Sequence, residues 1–410
     1  MSISTAPPIR RTELPSLSAR ATAIPPSTIR KLVDVANAAK SRGVHVYHLN
    51  IGQPDVPTPP VFFETLRAFK EPVLSYGHSK GHPGLLKAWS EYYGRIGLDV
   101  EPSQIQITTG GSEAILYALT LVADPGDNVI VSEPFYTNYR SLAVAAGVVL
   151  RGVPAEAQLG YPLPARRLIE DAIDERTRAI MICSPNNPTG TVLTRDEIST
   201  VVQIAAQHRL FVISDEVYRE FCYEGGHTSI WQFPQVASQA IIVDSISKRF
   251  SACGARIGAL VSRNADVIDG ALRLGQSRLC PATLEQVAAI PLMALDANYY
   301  AQLAAEYQGR RDLMCERLSA MPGVAFRKPA GAFYLMATLP VDDADDFCRW
   351  MLTDFEHERQ TVMMAPAAGF YMTPGAGRRE VRIAYVLIQA ELDKAMTVLE
   401  AGLSAYPGRV

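Results

Sequence analysis

No apolar run in the 410 residues approaches the roughly 20 residues that a membrane-spanning helix needs. The stretch from Met1 to Ser18 lacks the apolar core of a signal peptide and reads as a polar arm. Cysteine is sparse and scattered. Cys183, Cys222, Cys253, Cys280, Cys315 and Cys348 include no Cys-x-x-Cys pair, which excludes a metal knuckle or a disulfide framework and fits a reducing cytoplasm. An excess of basic charge is absent too. Lys and Arg number 39 against 42 Asp and Glu, for a formal net charge of -3, so the footprint expected of a nucleic-acid or anionic-membrane partner is lacking. There is no internal repeat and no low-complexity tract. These absences leave a cytoplasmic protein with no metal, no nucleic acid and no membrane as the expectation.

The chain is long enough for two domains, or for one large domain with an appended lobe, and its 48% hydrophobic and 20% charged residues are those of a globular enzyme. Short β-branched runs alternate with helical patterns over Ile105–Thr109, Asn128–Val131, Val148–Val153, Arg178–Cys183, Leu210–Asp215 and Ala240–Val243. That order predicts an α/β fold with a mostly parallel sheet covered by helices. Ligands then sit beyond the carboxyl ends of the strands, where the loops Gly110–Ser112, Ser184–Gly190 and Asp215–Tyr218 gather. Upstream, Ser27 reads as the N-cap of a helix running to Lys40, and His48–Ile51 as a short strand. Downstream, a long helix over about Asp296–Met321 leads into a lobe of short strands and helices that closes with Gln389–Tyr406.

One stretch organises the chemistry: Asp244-Ser-Ile-Ser-Lys248-Arg-Phe-Ser-Ala-Cys-Gly-Ala-Arg256. A lysine at the end of a buried strand is partly desolvated. Desolvation and neighbouring cations disfavour its ammonium form and free the amine to attack a carbonyl. Ser245 and Arg256 flank it with a hydroxyl and a cation, both suited to phosphate oxygens. The same residues, taken alone, also describe a surface lysine in a loop between two strands. Gly110-Gly-Ser112 has the same two readings, an anion site at a helix N-terminus or an ordinary turn capped by Ser112.

Ser245-x-x-Lys248 followed eight residues later by Arg256 resembles the lysine signature of fold-type I pyridoxal 5'-phosphate (PLP) enzymes of the class I/II aminotransferase family, and the resemblance extends from about Pro25 to Tyr406. Within the family it is nearest to bacterial aspartate aminotransferase-like proteins. It implies a large PLP-binding domain over 51–295 with a mostly parallel seven-stranded sheet, a smaller α+β domain from 25–50 and 296–410, and a flexible arm over 1–24. It implies Lys248 as the catalytic Schiff-base lysine and Asp215 as the acid at the pyridine nitrogen. Tyr218 and Asn187 match the donors to the cofactor phenolate, and Tyr136 matches the stacking aromatic. Gly111, Ser112, Ser245 and Arg256 form the implied phosphate cup, joined by Tyr76 from the neighbouring subunit of a homodimer with shared active sites. Gly77-His78 replaces the usual Thr-Pro after that tyrosine, which puts the loop's shape in doubt. The resemblance also implies that Gly52 approaches the substrate carboxylate by its backbone and that Arg382 clamps it by a bidentate fork.

The activity implied is ping-pong transamination between an L-amino acid, aspartate foremost, and 2-oxoglutarate. Aromatic, alanine or other donors, and a C–S β-lyase or synthase on the same fold, are the alternatives. A PLP-sensing regulator would want an appended DNA-binding module and a basic face, and neither is in evidence. A distal carboxylate needs a second cation. Ser112 stands where one bacterial aspartate subgroup carries lysine, and Arg278, in Gln276-Ser-Arg-Leu-Cys-Pro281, is the candidate among substrate-binding residues; the other reading places it on a helix end, paired with an acid.

Overall fold

The computed structural model describes residues 16–410. A seven-stranded sheet forms its centre, with strands β1 (Ile105–Thr108), β2 (Asn128–Glu133), β3 (Val149–Pro154), β4 (Thr177–Cys183), β5 (Phe211–Asp215), β6 (Ala240–Ser245) and β7 (Gly258–Val261). Their spatial order is β1-β7-β6-β5-β4-β2-β3, and β7 alone runs antiparallel to its neighbours. Strands buried on both faces read as continuous apolar runs, and β1, β6 and β7 are buried at every position. Gly258 pairs with Thr108 on one side and Ser245 on the other. The antiparallel strand therefore begins at the edge where β1, β4, β5 and β6 end, and it brings Arg256 there with them.

Two apolar clusters flank this sheet. One, around Trp89, Val201 and Ile242, lies under the helices Pro83–Arg95 and Arg195–His208. The other, around Leu119, Val243 and Leu260, lies under Gly110–Val122. The helix Arg195–His208 starts in the expected capping box of Thr194 and Glu197. A third cluster gathers Leu32–Leu49 with residues from Leu303 to Tyr406 around a second, four-stranded sheet, in which Tyr334–Thr338 pairs antiparallel with Glu380–Ala384. The long helix Ala297–Ser319, capped by Asp296, leads into this part. No helix among the described residues is long and apolar enough to cross a membrane, and the six cysteines are all unpaired.

Three local expectations change. The helix expected from Ser27 begins at Val33, with Ser27 to Leu32 in turns and the Ser27 hydroxyl buried without a partner. The strand expected at His48–Ile51 lies at His45–His48, where it pairs in parallel with Gln360–Met363. Of the arm over 1–24, residues 1–15 lie outside the described residues, and Ala19–Ala23 is a short exposed helix capped by Ser18.

Candidate active site

The cavity at the carboxyl edge of the central sheet has a volume of about 450 Å³. Lys248 enters it from a one-turn helix, Ile246–Arg249, at the end of β6. The turn is fixed from below. Asp244, fully buried, is ion-paired to Arg249 and accepts from the Trp89 indole at 3.2 Å and the Tyr93 hydroxyl at 2.9 Å. Ser245 caps the turn, its hydroxyl accepting from the Ser247 amide at 3.1 Å. The Lys248 ammonium donates to the Gly52 carbonyl at 2.9 Å and, among the described residues, has no carboxylate partner within hydrogen-bonding reach. Burial, together with the Arg382 and Arg256 cations, holds its pKa below that of an ordinary lysine. Low proton affinity is what a nucleophilic amine needs.

Asp215 ends β5 and is 4% exposed. Its carboxylate accepts from the Tyr139 hydroxyl at 2.5 Å and from the Val217 amide at 3.3 Å. Burial raises its pKa to about 6 against the pull of those two donors. Tyr139 was not singled out by sequence. It lies in the first turn of the helix Asn138–Ala146, three residues beyond Tyr136, and its ring meets the Tyr136 ring edge-on at 5.4 Å.

Arg382, on the strand Glu380–Ala384, is 1% exposed. It donates to the Asn187 side-chain oxygen at 2.9 Å and to the Asn50 carbonyl, and stacks over Tyr334 at 4.5 Å. Among the described residues no carboxylate neutralises it and its Nε is unpartnered, so burial depresses its pKa. A buried cation held by neutral acceptors is poised for an anion from outside. Asn187 and Tyr218 are brought together, amide nitrogen to hydroxyl at 3.4 Å, and Tyr218 shares a 2.9 Å hydrogen bond with Tyr334.

The fourth side is a cradle. The helix Gly110–Val122 points its first turn at the cavity, with Gly111 and Ser112 in the lining. Thr109, not Ser112, is the N-cap, and its amide donates to Glu113 at 2.7 Å. Gly110 has φ +76°, and a Cβ there would meet the Arg256 guanidinium at 2.3 Å; glycine thus admits the cation to the helix start. Arg256 donates to the Cys253 carbonyl at 2.9 Å and has no acidic partner among the described residues. Free amides, the positive end of a helix, the Ser112 and Ser245 hydroxyls and a guanidinium form a donor set suited to a phosphate. With Asp215, Lys248 and the Tyr136 ring in the same cavity, the residues fit a phosphorylated pyridine aldehyde.

Of the residues expected at the site, Gly52, Gly111, Ser112, Tyr136, Asn187, Asp215, Tyr218, Ser245, Lys248, Arg256 and Arg382 line this one cavity. Two do not. Tyr76 is 82% exposed, beside Val73 and Leu74 at 69% and 58%. The other is Arg278, expected as the second cation. It ends the helix Ala265–Arg278 outside the cavity lining, with its guanidinium 3.3 Å from the Glu113 carboxylate. The helix-end pairing is the arrangement found. Arg30, Cys253 and Tyr334 join the lining without having been expected there, and no short motif marks them.

Comparison with known proteins gives the same picture over nearly the whole chain. The sequence pattern of the family described as aminotransferase class I and II matches residues 44–399. An aspartate aminotransferase of Thermotoga maritima is 30% identical over 394 residues, covering 95% of this chain and all of the relative. Aromatic-amino-acid aminotransferase 2 of Thermococcus litoralis is 30% identical over 398 residues, covering 94% and 97%. The solved structure of an alanine aminotransferase from Pyrococcus furiosus superposes with a TM-score of 0.87 at 29% identity, covering 95% of this chain and all of that one.

Proposed function

The chain belongs to the class I and II aminotransferase family and is a PLP-dependent aminotransferase acting on amino and oxo acids, and on that premise we propose that it moves the amino group of an L-amino acid, aspartate foremost, to 2-oxoglutarate. The bound cofactor supplies the carbonyl that takes up the amino group and the ring that draws electrons from the substrate's Cα–H bond. The chain's own residues do the rest. Lys248 holds the cofactor and, once displaced, carries the proton from the substrate Cα as general base. Asp215 holds the ring nitrogen's proton, Tyr218 and Asn187 hold the phenolate oxygen, and Tyr136 covers the ring. Gly111, Ser112, Ser245 and Arg256 hold the phosphate, while Arg382 and the Gly52 backbone receive the α-carboxylate.

The observation that carries this reading is the convergence of Lys248, Asp215, Arg256 and Arg382 on one cavity from four separate strand ends and loops. Borohydride reduction of the PLP-loaded enzyme followed by peptide mapping tests it. A reduced pyridoxyl label is expected on Lys248, and a label on another lysine overturns the assignment. Aspartate as the donor is supported by the Thermotoga relative's name; aromatic and alanine donors have named relatives of equal similarity.

The reading extends to assembly. Tyr76 lies in an exposed apolar strip and is suited to reach the cofactor phosphate of a second copy, giving a homodimer with shared sites. The division into a large domain over 51–295 and a small one from 25–50 and 296–410 belongs to the same proposal. So does a cytoplasmic location, in keeping with six unpaired cysteines.

A further inference from the structure

Three guanidinium groups face the cavity without an acidic partner among the described residues: Arg256, Arg382 and Arg30. Elsewhere, arginines with little or no exposure are paired, Arg249 with Asp244, Arg310 with Asp55 and Arg311 with Glu224. Asp215 is the one carboxylate in the cavity lining. Arg256 belongs to the cofactor phosphate and Arg382 to the α-carboxylate. One cation is left over.

Arg30 is exposed, and the backbone beside it is held in place. The preceding residue, Ile29, gives its carbonyl to the Asn50 side chain at 2.9 Å, and the Asn50 carbonyl accepts from Arg382. One residue thus ties the two arginines into a single frame. Ile29 packs on the small cluster of Met336, Ala365 and Phe370, and Phe370 lies 5.2 Å from the Arg382 guanidinium. The turns from Ser27 to Leu32, which replace the expected helix, are what point Arg30 at the cavity. Its charge reaches Tyr136, whose phenol it favours ionising against the larger effect of burial.

We propose that Arg30 is the specificity-determining cation of this enzyme, binding the distal carboxylate of four- and five-carbon amino and oxo dicarboxylates in the place first assigned to Arg278. A guanidinium offers that carboxylate a bidentate partner, and dicarboxylates are selected over neutral side chains by its charge. The inference rests on the dicarboxylate reading above.

The test uses the PLP-loaded enzyme with Arg30→Met and Arg30→Lys. Equilibrium binding of succinate and of 3-phenylpropionate is measured by calorimetry. Cofactor conversion is followed by absorbance with L-aspartate, L-glutamate, L-alanine and L-phenylalanine. Arg30→Met is expected to weaken succinate binding, and kcat/KM for the two acidic donors, by roughly 30- to 300-fold. Neutral ligands should change less than about threefold, and Arg30→Lys should recover part of the loss. If the wild type uses dicarboxylates and Arg30→Met lowers acidic and neutral ligands alike, or lowers neither, the inference is overturned while the dicarboxylate reading stands. If the wild type shows no preference for dicarboxylates, both fall.

Discussion

Removing one hydroxyl should make the charge state of Asp215 visible. Tyr139 and Asp215 are both buried, 0% and 4% exposed, and their hydrogen bond is 2.5 Å long. A hydrogen bond to a charged acceptor contributes about 1.5–3 kcal/mol, so Tyr139→Phe should raise the Asp215 pKa by about one to two pH units at 1.36 kcal/mol per unit. The starting value is already about 6, against 3.8 for an ordinary aspartate. A raised pKa in the folded state means that the folded protein holds the proton longer than the unfolded chain. The Asp215 contribution to stability is therefore full below about pH 4 and is lost as pH rises through about 6. In Tyr139→Phe the loss continues to higher pH. Urea unfolding of the cofactor-free enzyme should show the variant about 1.5–3 kcal/mol less stable at pH 8 and nearly equal to wild type at pH 5. Cofactor affinity should follow the same course, because Asp215 must be ionised to hold a protonated ring nitrogen; the variant should bind PLP more weakly at pH 7 and regain affinity toward pH 9. An equal stability difference at pH 5 and pH 8 would mean that the hydroxyl does not act on the carboxylate charge, and would remove Tyr139 as the residue that keeps Asp215 ionised.

Other consequences are as direct. Mixing Lys248→Ala subunits with Tyr76→Phe subunits should restore activity above either parent, since a shared-site heterodimer keeps one intact site; activity no greater than the parents' would count against sharing. Asp244→Asn leaves the buried Arg249 guanidinium without its counter-charge and should cost about 3–5 kcal/mol in urea unfolding. Arg278→Ala breaks the contact with Glu113 outside the cavity, so its effects on kcat/KM with aspartate and with phenylalanine should agree within about 1 kcal/mol; a loss confined to aspartate would return Arg278 to the site. On the cofactor-free enzyme, Asp215→Asn should flatten the decline in stability between pH 4 and pH 7.

What could be read from the chain follows how local its cause is. The strands of the central sheet are continuous apolar runs because helices cover both faces, and a run of that kind is written in the sequence. Lys248, Asp215, Asn187 and Ser112 follow such strands within a few residues, so the sheet carries them to one edge whatever the loops do in detail. Glu197 was legible as the capping partner of Thr194 because it stands three residues away. Tyr139 was not legible as the partner of Asp215, because 76 residues separate the two and only the sheet order brings them together.

Arg30 and Arg278 mark the limit of that reading, for one reason. Each has a local reading that is sound by itself: Ser27 resembles a helix cap, and Arg278 stands where the family resemblance implies a second cation. Tertiary contacts decide otherwise in both places. At Ile29 the carbonyl that a helix starting at Ser27 would use goes to Asn50, and Thr28 lies so close to Gly369 that a Cβ there would meet its hydroxyl at 2.0 Å. The helix therefore waits until Val33, and Arg30 is left in a turn facing the cavity. Glu113 stands in the first turn of the helix that presents Gly111 and Ser112, and it takes Arg278 as its partner. Within the chain the two cations differ in whether an acid lies beside them. Arg278 finds one, and Arg30 does not, which is why the latter remains available to an anion that arrives with the substrate.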